Sequence, residues 1–494
     1  MQKLYKIHDK DNVAVAVEAL QEDEKLAVNG TEIVLTAAVP AGHKVALRAI
    51  AAGENILKYG CPIGTAKEDI AAGAWVHTHN VKSRLGDLLD YQYEPEALVE
   101  PAKISREFMG YKRADGRVGI RNEVWIIPTV GCVNSIARCI ETAAQQFKTT
   151  TIDGVYAYSH PYGCSQLGDD QLHTQKFLRG LINSPNAAAV LVLGLGCENN
   201  QIELMKEIIG PYDEKRIKFL VCQEQEDEVA VALEMMEELC EYAAGFQREK
   251  CSAANLVIGL KCGGSDGFSG ITANPLVGEI SNKIIAAGGT SILTEVPEMF
   301  GAETLLMNRC RNQAVFEKTV HLINDFKAYF MRYGEKINEN PSPGNKAGGI
   351  TTLEDKSLGC VQKGGSAIVE DVLAYGDSVR VKGLNLLEAP GNDLIAANAL
   401  AAAGAHMVLF TTGRGTPFSS PVPTLKIASN SELAGFKKNW IDFDAGQLLH
   451  GRTMEDLAEE FFAFILAVAS GTQRAKSEAL DKHELAIFKD GVTL

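Results

Sequence analysis

Short apolar runs that each empty into a polar, glycine-bearing loop recur along most of this chain. Val124-Trp125-Ile126-Ile127, Val155-Tyr156-Ala157-Tyr158, Ala189-Val190-Leu191-Val192-Leu193, Leu256-Val257-Ile258-Gly259-Leu260, Ser291-Ile292-Leu293-Thr294 and His406-Met407-Val408-Leu409-Phe410 show little polar alternation. A strand covered on both faces reads this way, because neither side meets water. Helical patterns lie between them, over residues 133–140, 201–209, about 224–241 and about 278–287. The acidic stretch 224–241 predicts a helix with a solvated face. Strands alternating with helices predict an α/β fold with mostly parallel sheets covered by helices.

The first 85 residues follow a different pattern. Asn12-Val13-Ala14-Val15-Ala16, Thr31-Glu32-Ile33-Val34-Leu35, Lys44-Val45-Ala46-Leu47 and Trp75-Val76-His77 are short strands, separated by turns at Gly42, Gly53, Gly60, Gly64 and Gly73. This predicts a small β-rich domain over 1–85. An acidic stretch with two prolines follows, so 86–105 reads as a linker. A first α/β domain over 106–250 and a second over 251–494 complete the expected organisation.

Composition narrows the function classes. The 494 residues carry a net charge of −15, with 46% hydrophobic and 22% charged residues, as in an ordinary globular protein. No Lys/Arg stripe interrupts the acidic balance, which argues against nucleic acid and anionic membrane as partners. An anionic small substrate then requires a local cluster of cations. No apolar run reaches the length of a membrane span, and the N-terminus lacks the apolar core of a signal peptide. The 11 cysteines read as thiols of a reducing compartment, so a cytoplasmic location is expected.

The cysteines carry the first chemical signal. Cys132, Cys164, Cys197 and Cys262 each stand just past a strand, where open α/β sheets bind ligands. Soft donors beside glycines at that edge predict a metal. Cys139, Cys222, Cys240, Cys251 and Cys310 have no such context and read as packing residues, while Cys360 fits either class. Two loops supply cations. Residues 340–356 are rich in Gly, Pro and hydrogen-bonding groups and contain Asn345, Lys346 and Lys356. Thr411-Thr412-Gly413-Arg414-Gly415-Thr416-Pro417 offers Arg414, whose planar group can grip a carboxylate through two parallel hydrogen bonds or serve a structural ion pair. His77 and His79 stand at i and i+2, on one face of a strand, as a weak metal pair or an exposed polar edge; His8 and His43 add to the histidines of the small domain.

Several chemistries lose support. There is no Walker A motif, Gly194-Leu195-Gly196 has Asn199 where a dinucleotide fingerprint needs its third glycine, and no Gly-x-Ser-x-Gly elbow occurs. No Cys-x-x-Cys pair supports a zinc ribbon or thioredoxin chemistry.

Longer strings carry a resemblance. Tyr162-Gly163-Cys164-Ser165-Gln166-Leu167-Gly168-Asp169-Asp170, Gly196-Cys197-Glu198-Asn199-Asn200, Cys262-Gly263-Gly264-Ser265-Asp266, residues 340–349 and 412–417 resemble the altronate/galactarate dehydratase family, which includes sulfolactate sulfo-lyase. The resemblance runs essentially end to end, through Ala486-Ile487-Phe488-Lys489-Asp490-Gly491-Val492-Thr493-Leu494, and the first 80 or so residues resemble the family's SAF β-clip domain. It implies dehydration of D-altronate to 2-dehydro-3-deoxy-D-gluconate in hexuronate breakdown, with iron(II) as the expected metal. The cysteine pattern leaves open a mononuclear centre or an iron–sulfur cluster, which three non-contiguous cysteines can hold. A sugar acid is the implied partner, and a homo-oligomer is expected. The alternatives are a sibling lyase on galactarate or sulfolactate, and a non-catalytic sugar-acid sensor, for which the chain shows no output module.

Dehydrating a 2,3-dihydroxy acid requires a base for the proton beside the carboxylate, charge stabilisation, and protonation or metal coordination of the leaving hydroxyl. The expected acid–base candidates are His43, His79, His160 and Lys346. Arg414, Lys346, Lys356 and Asn345 are expected to bind substrate, and Cys132, Cys164, Cys197 and Cys262 to hold metal. The galactarate branch departs from the pattern around His77 to Asn80 and at Cys360.

Overall fold

The structure is a computed structural model that describes residues 3–28, 30–86, 88–480 and 485–494. Two parallel sheets dominate it. The first contains β1 (Glu123–Pro128), β2 (Gly154–Ala157), β3 (Ala187–Gly194) and β4 (Ile217–Val221) in the order β2-β1-β3-β4. The second contains β5 (Val257–Cys262), β6 (Thr290–Leu293), β7 (Val369–Leu373), β8 (Gly383–Leu387), β9 (Met407–Thr412), β10 (Thr424–Ala428) and β11 (Phe443–Asp444). Their order is β7-β8-β6-β5-β9-β10-β11, so β5 is the central strand.

The unbroken apolar runs have the expected cause. Every residue of β1, β3, β8 and β9 is buried, because helices cover both sheet faces. Helices Asn134–Ala144 and Glu228–Ala244 close one side of the first sheet. Helix Gly168–Ile182 closes the other and packs against helix Asp393–Ala402 of the second unit, forming one shared apolar core. Gly180 makes this approach possible, since a Cβ there would collide with the Ala402 carbonyl.

The two sheets are aligned. Asn186, just before β3, donates Nδ2 to the carbonyl of His406, just before β9, at 2.9 Å. At the opposite edge the C-terminal segment bridges both units: Phe488 N donates to Tyr375 Oη at 2.9 Å and Gly491 N to Asp170 at 2.8 Å. In such folds ligands bind outside the carboxyl ends of the strands.

The N-terminal unit is built of short antiparallel strands, among them Val13–Ala16, Lys44–Ala46 and Cys61–Ala66. Part of it shares the core of the second unit through Ile56, Ile63 and Val81. Residues 88–105 form no helix or strand, yet Tyr93 Oη donates to the Cys310 carbonyl at 2.6 Å and Ile104 N to Ala286 at 3.0 Å. Asp87, within the expected linker, lies outside the described residues. Among the described residues no helix is long and apolar enough to cross a membrane.

One local expectation is corrected. His77 and His79 do not share a strand face, because the strand ends at Val76. Asn80 Oδ1 accepts the His77 N–H at 2.9 Å and Asn80 N donates to the His77 carbonyl at 3.0 Å, which turns the chain.

Candidate active site

The central strand β5 ends at Cys262 and turns sharply through Gly263-Gly264-Ser265-Asp266. Gly264 has φ +62°, a left-handed value that favours glycine. The Asp266 carboxylate pins the turn by accepting from Phe268 N, Ser269 N, Ser269 Oγ, Ser429 Oγ and Asn430 Nδ2 at 2.8–3.1 Å. Three further loops meet here. A Cβ on Gly263 would lie 2.5 Å from the Asp393 carboxylate, and one on Gly264 would lie 3.3 Å from Arg414 Cβ. Asn345 Nδ2 donates to the Ser265 carbonyl at 2.8 Å.

Behind this turn is a buried cluster of charges and thiols. Cys262 Sγ lies 3.4 Å from Cys360 Sγ, and Glu298 Oε2 is 3.2 Å from each sulfur. Lys363 Nζ donates to Cys262 Sγ at 3.0 Å and pairs with Glu295 at 3.1 Å. Lys356 pairs with Glu298 at 2.7 Å. Lys261 pairs with Glu295 and, at 3.0 Å, with Asp393. The Asp393 side chain is 41% exposed while that of Glu295 is 1% exposed, so Asp393 marks the mouth of the cluster. Glu295 takes the left-handed conformation, φ +73°, which costs energy for a residue with a Cβ.

Charge explains how the cluster tolerates burial. Three lysines face three carboxylates, Glu295, Glu298 and Asp393. Burial pushes the Glu298 pKa up, but Lys356, Lys261 and Lys363 outweigh it and hold the group well below the usual carboxylate range. Burial likewise opposes charge on Lys261 and Lys356, and their carboxylate partners more than compensate, so both stay above the ordinary lysine value. The Cys360 thiol is pushed up by its hydrogen bond with Cys262 and by burial.

The ligand atoms of Cys262, Glu298 and Cys360 all lie within 4.8 Å of one another. Thiolates at about 2.3 Å from a tetrahedral ion stand about 3.8 Å apart, so an ion would spread the two sulfurs by a few tenths of an ångström. Two sulfurs and a carboxylate suit a borderline transition metal better than calcium or magnesium. A divalent ion that displaces two thiol protons leaves the charge balance of the cluster unchanged. The donor set therefore fits a metal such as iron(II).

Helix Leu353–Cys360 joins this cluster to the N-terminal unit. Thr352 caps it by accepting from Asp355 N at 3.2 Å. Lys356 and Cys360, four apart, share one face and enter the cluster. Asp355 turns to the N-terminal unit, where Lys44 meets Oδ2 at 2.8 Å and Lys58 meets Oδ1 at 3.0 Å, all three side chains being buried. Glu354 accepts from Ser83 Oγ at 2.9 Å and Arg84 N at 2.6 Å.

The expected site residues are distributed unevenly around this arrangement. Cys262, Asn345, Lys356 and Arg414 converge on the turn. Lys346 follows Asn345 on the short helix Pro343–Ala347, half-buried and without an ion pair among the described residues. Arg414 is exposed on a groove of about 670 Å³ that Asp266, Phe268 and Asn430 also line. The four metal-candidate cysteines do not share one floor: Cys262 is buried at the end of β5, whereas Cys132, Cys164 and Cys197 are exposed on loops of the first sheet. His160 is buried, with Nε2 toward the Pro128 carbonyl at 2.8 Å and Nδ1 accepting Tyr162 N at 3.2 Å; burial pushes its pKa down to about 4. His43 contacts the Ala347 carbonyl at 3.2 Å and accepts Trp75 Nε1 at 3.2 Å, and burial lowers its pKa. His77 stacks on Trp75 and burial pushes it down to about 4, while His79 is exposed. Sequence pattern alone does not mark Glu295, Glu298, Lys363 and Asp393; the usable signals are Glu-x-x-Glu just past β6 and the Lys356–Cys360 spacing.

The chain matches three family models: the Altronate/galactarate dehydratase SAF domain over residues 2–84, the D-galactarate dehydratase/Altronate hydrolase second domain over 110–244, and the D-galactarate/Altronate dehydratase C-terminal domain over 253–493. It is 55% identical over 492 residues to an altronate dehydratase of Escherichia coli K12, covering 99% of both chains. It is 52% identical over 501 residues to that of Bacillus subtilis 168, covering 100% of both. A galactarate dehydratase (L-threo-forming) of Escherichia coli K12 is 33% identical over 98% of this chain and 96% of its own. By these end-to-end matches, the chain belongs to the altronate/galactarate dehydratase family.

Proposed function

We propose that this protein removes water from D-altronate to give 2-dehydro-3-deoxy-D-gluconate, and that it works at the Cys262–Asp266 turn. The observation that carries the reading is the neutralised lysine–carboxylate–thiol cluster at the carboxyl end of the central strand, in a chain half identical to altronate dehydratases along its whole length. Iron(II) is the proposed metal, with Cys262, Glu298 and Cys360 as its protein ligands. Bound there, it would supply Lewis acidity toward the oxygen-rich substrate.

The remaining roles belong to the chain. Arg414 Nη atoms receive the substrate carboxylate in two parallel hydrogen bonds. Asp393, at the mouth, accepts hydrogen bonds from the polyol and is oriented by Lys261. Lys346 Nζ, as the free amine, takes the proton beside the carboxylate and returns it to the departing 3-hydroxyl, which leaves as water, since His160 and His43 already spend ring nitrogens on neighbouring groups and His79 lies on the outer surface. Asn345 braces the loop that carries Lys346. The sealed lysines Lys356 and Lys363 hold Glu298 and Cys262 in place and keep bulk water from the cluster.

The test is an anaerobic assay of iron-loaded protein against a panel of aldonates and aldarates, reading 2-keto acid formation. Altronate should have the highest kcat/KM. A preference for galactarate or sulfolactate, or undiminished turnover in metal-free protein, would overturn the assignment.

A further inference from the structure

Outside the site described above, one group of thiols has no role in it. β1, β2 and β3 are neighbours in the first sheet, and the loops after them carry Cys132, Cys164 and Cys197. These loops are interlocked. Gly131 N donates to the Tyr162 carbonyl at 2.8 Å, Asn200 N to the Gly163 carbonyl at 3.0 Å, and Ser165 N to Asn199 Oδ1 at 2.8 Å. Gly163, at φ +101°, presses against the backbone of Thr129 and Val130, where no Cβ fits. Ser165 also takes a left-handed conformation, φ 59°, which a residue with a Cβ adopts at a cost.

All three thiols face solvent, although free cysteine is among the most buried residue types. Among the described residues, the hydrogen-bond partners of Cys164 and Cys197 are uncharged. Cys164 Sγ lies 3.7 Å from Ser165 Oγ, and Gln223 Nε2 approaches Cys197 Sγ at 3.6 Å. The nearby carboxylate, Glu198, is turned inward and accepts from Thr129 Oγ1 at 2.7 Å, Leu195 N at 3.0 Å and Gly196 N at 2.6 Å. Fully buried Asn200, at the same junction, donates Nδ2 to the Thr129 carbonyl at 3.0 Å and keeps Oδ1 without a partner among the described residues.

The spacing selects the kind of group. Among the described residues only Cys262, Glu298 and Cys360 bring three ligand atoms within 4.8 Å of one another. The three exposed thiols are therefore spread too widely for a single ion, whereas an iron–sulfur cube sets its thiolates farther apart because sulfide and iron lie between them. We propose that Cys132, Cys164 and Cys197 bind a four-iron, four-sulfide cluster, each thiol losing its proton to solvent. Three thiolates on four irons leave one iron without a cysteine. The cluster is a second centre, separate from the Cys262–Glu298–Cys360 site, and its presence does not depend on which sugar acid is dehydrated.

The experiment uses the full chain, reconstituted anaerobically with equal iron(II) and iron(III) and with sulfide, followed by iron and acid-labile sulfide analysis and visible and paramagnetic resonance spectra. Wild type should hold about four sulfides per chain. Cys132→Ser, Cys164→Ser and Cys197→Ser should each lose sulfide and the visible absorption with an unchanged far-ultraviolet circular dichroism spectrum. Cys360→Ser should keep the sulfide while losing the iron of the buried site. Wild type without sulfide, or equal sulfide loss in Cys360→Ser, overturns the proposal. The altronate assay reads the reaction separately, so loss of that activity with the cluster intact leaves this inference standing.

Discussion

Asp355→Asn tests whether the N-terminal unit is held to the second unit by buried charge. Asp355 Oδ2 accepts from Lys44 Nζ at 2.8 Å, Thr351 N at 3.0 Å and Thr351 Oγ1 at 3.1 Å, and Oδ1 accepts from Lys58 Nζ at 3.0 Å. An amide can keep its oxygen toward Lys44 and Thr351 only by pointing its NH2 at the Lys58 ammonium, so a donor then meets a donor. Two buried lysines lose the counter-charge that, among the described residues, each of them pairs with. Burial already pushes Lys44 down to about 8, against the pull of Asp355. Removing one partner of a buried pair costs about 3–5 kcal/mol, and the second lysine places this case at the upper end. Limited proteolysis and urea unfolding should show the N-terminal unit opening at lower denaturant. Adding Lys58→Met should restore at least about 1 kcal/mol, because it removes the stranded charge. Asp355→Asn within about 0.5 kcal/mol of wild type would refute the argument.

Other expectations follow from the same geometry. Arg414→Lys keeps the charge but loses the paired donors; kcat/KM should fall about 10- to 150-fold, equivalent to about 1.5–3 kcal/mol, at unchanged thermal stability because Arg414 is exposed. Equal activity, or unfolding, would make Arg414 structural. Lys346→Met should lower kcat about 100-fold or more with iron content unchanged; a rise in KM alone would deny it the proton. His160 and His406 are buried and pushed from 6.5 down to about 4, so between those values the unfolded chain takes up protons that the fold refuses. Urea midpoints should therefore fall as pH drops from about 6.5 to about 4, and a flat profile across that window would count against neutral buried imidazoles.

The alternation of elements was legible because each depends on local pattern. Residues 187–194 are apolar throughout since helices cover both faces, and the run 407–410 reads the same way for the same reason, whereas the strand continues through Thr411 and Thr412, which the pattern assigns to the loop. The composition of 340–356 predicts a loop, but its polar residues cap two short helices, Ser342 at Pro343–Ala347 and Thr352 at Leu353–Cys360. The strand-end rule led to the Cys262 turn and to Arg414, because parallel sheets leave that edge open. It did not distinguish Cys262 from Cys132, Cys164 and Cys197, since sequence position along a strand does not say which sheet the strand joins. Glu295, Glu298, Lys363 and Asp393 escaped notice for a different reason. A Lys or Glu in a turn is ordinarily solvated, and only three-dimensional pairing distinguishes one whose charge is neutralised in the interior. Lys356 and Cys360 carry the one local clue, a spacing of four that puts an ammonium and a thiol on the same helix face. Their helix also presents Asp355 to the N-terminal unit, so a single short helix couples domain attachment to the position of two cluster side chains. A substitution at Lys44 or Lys58, far from the turn in sequence, should therefore register in kcat as well as in stability.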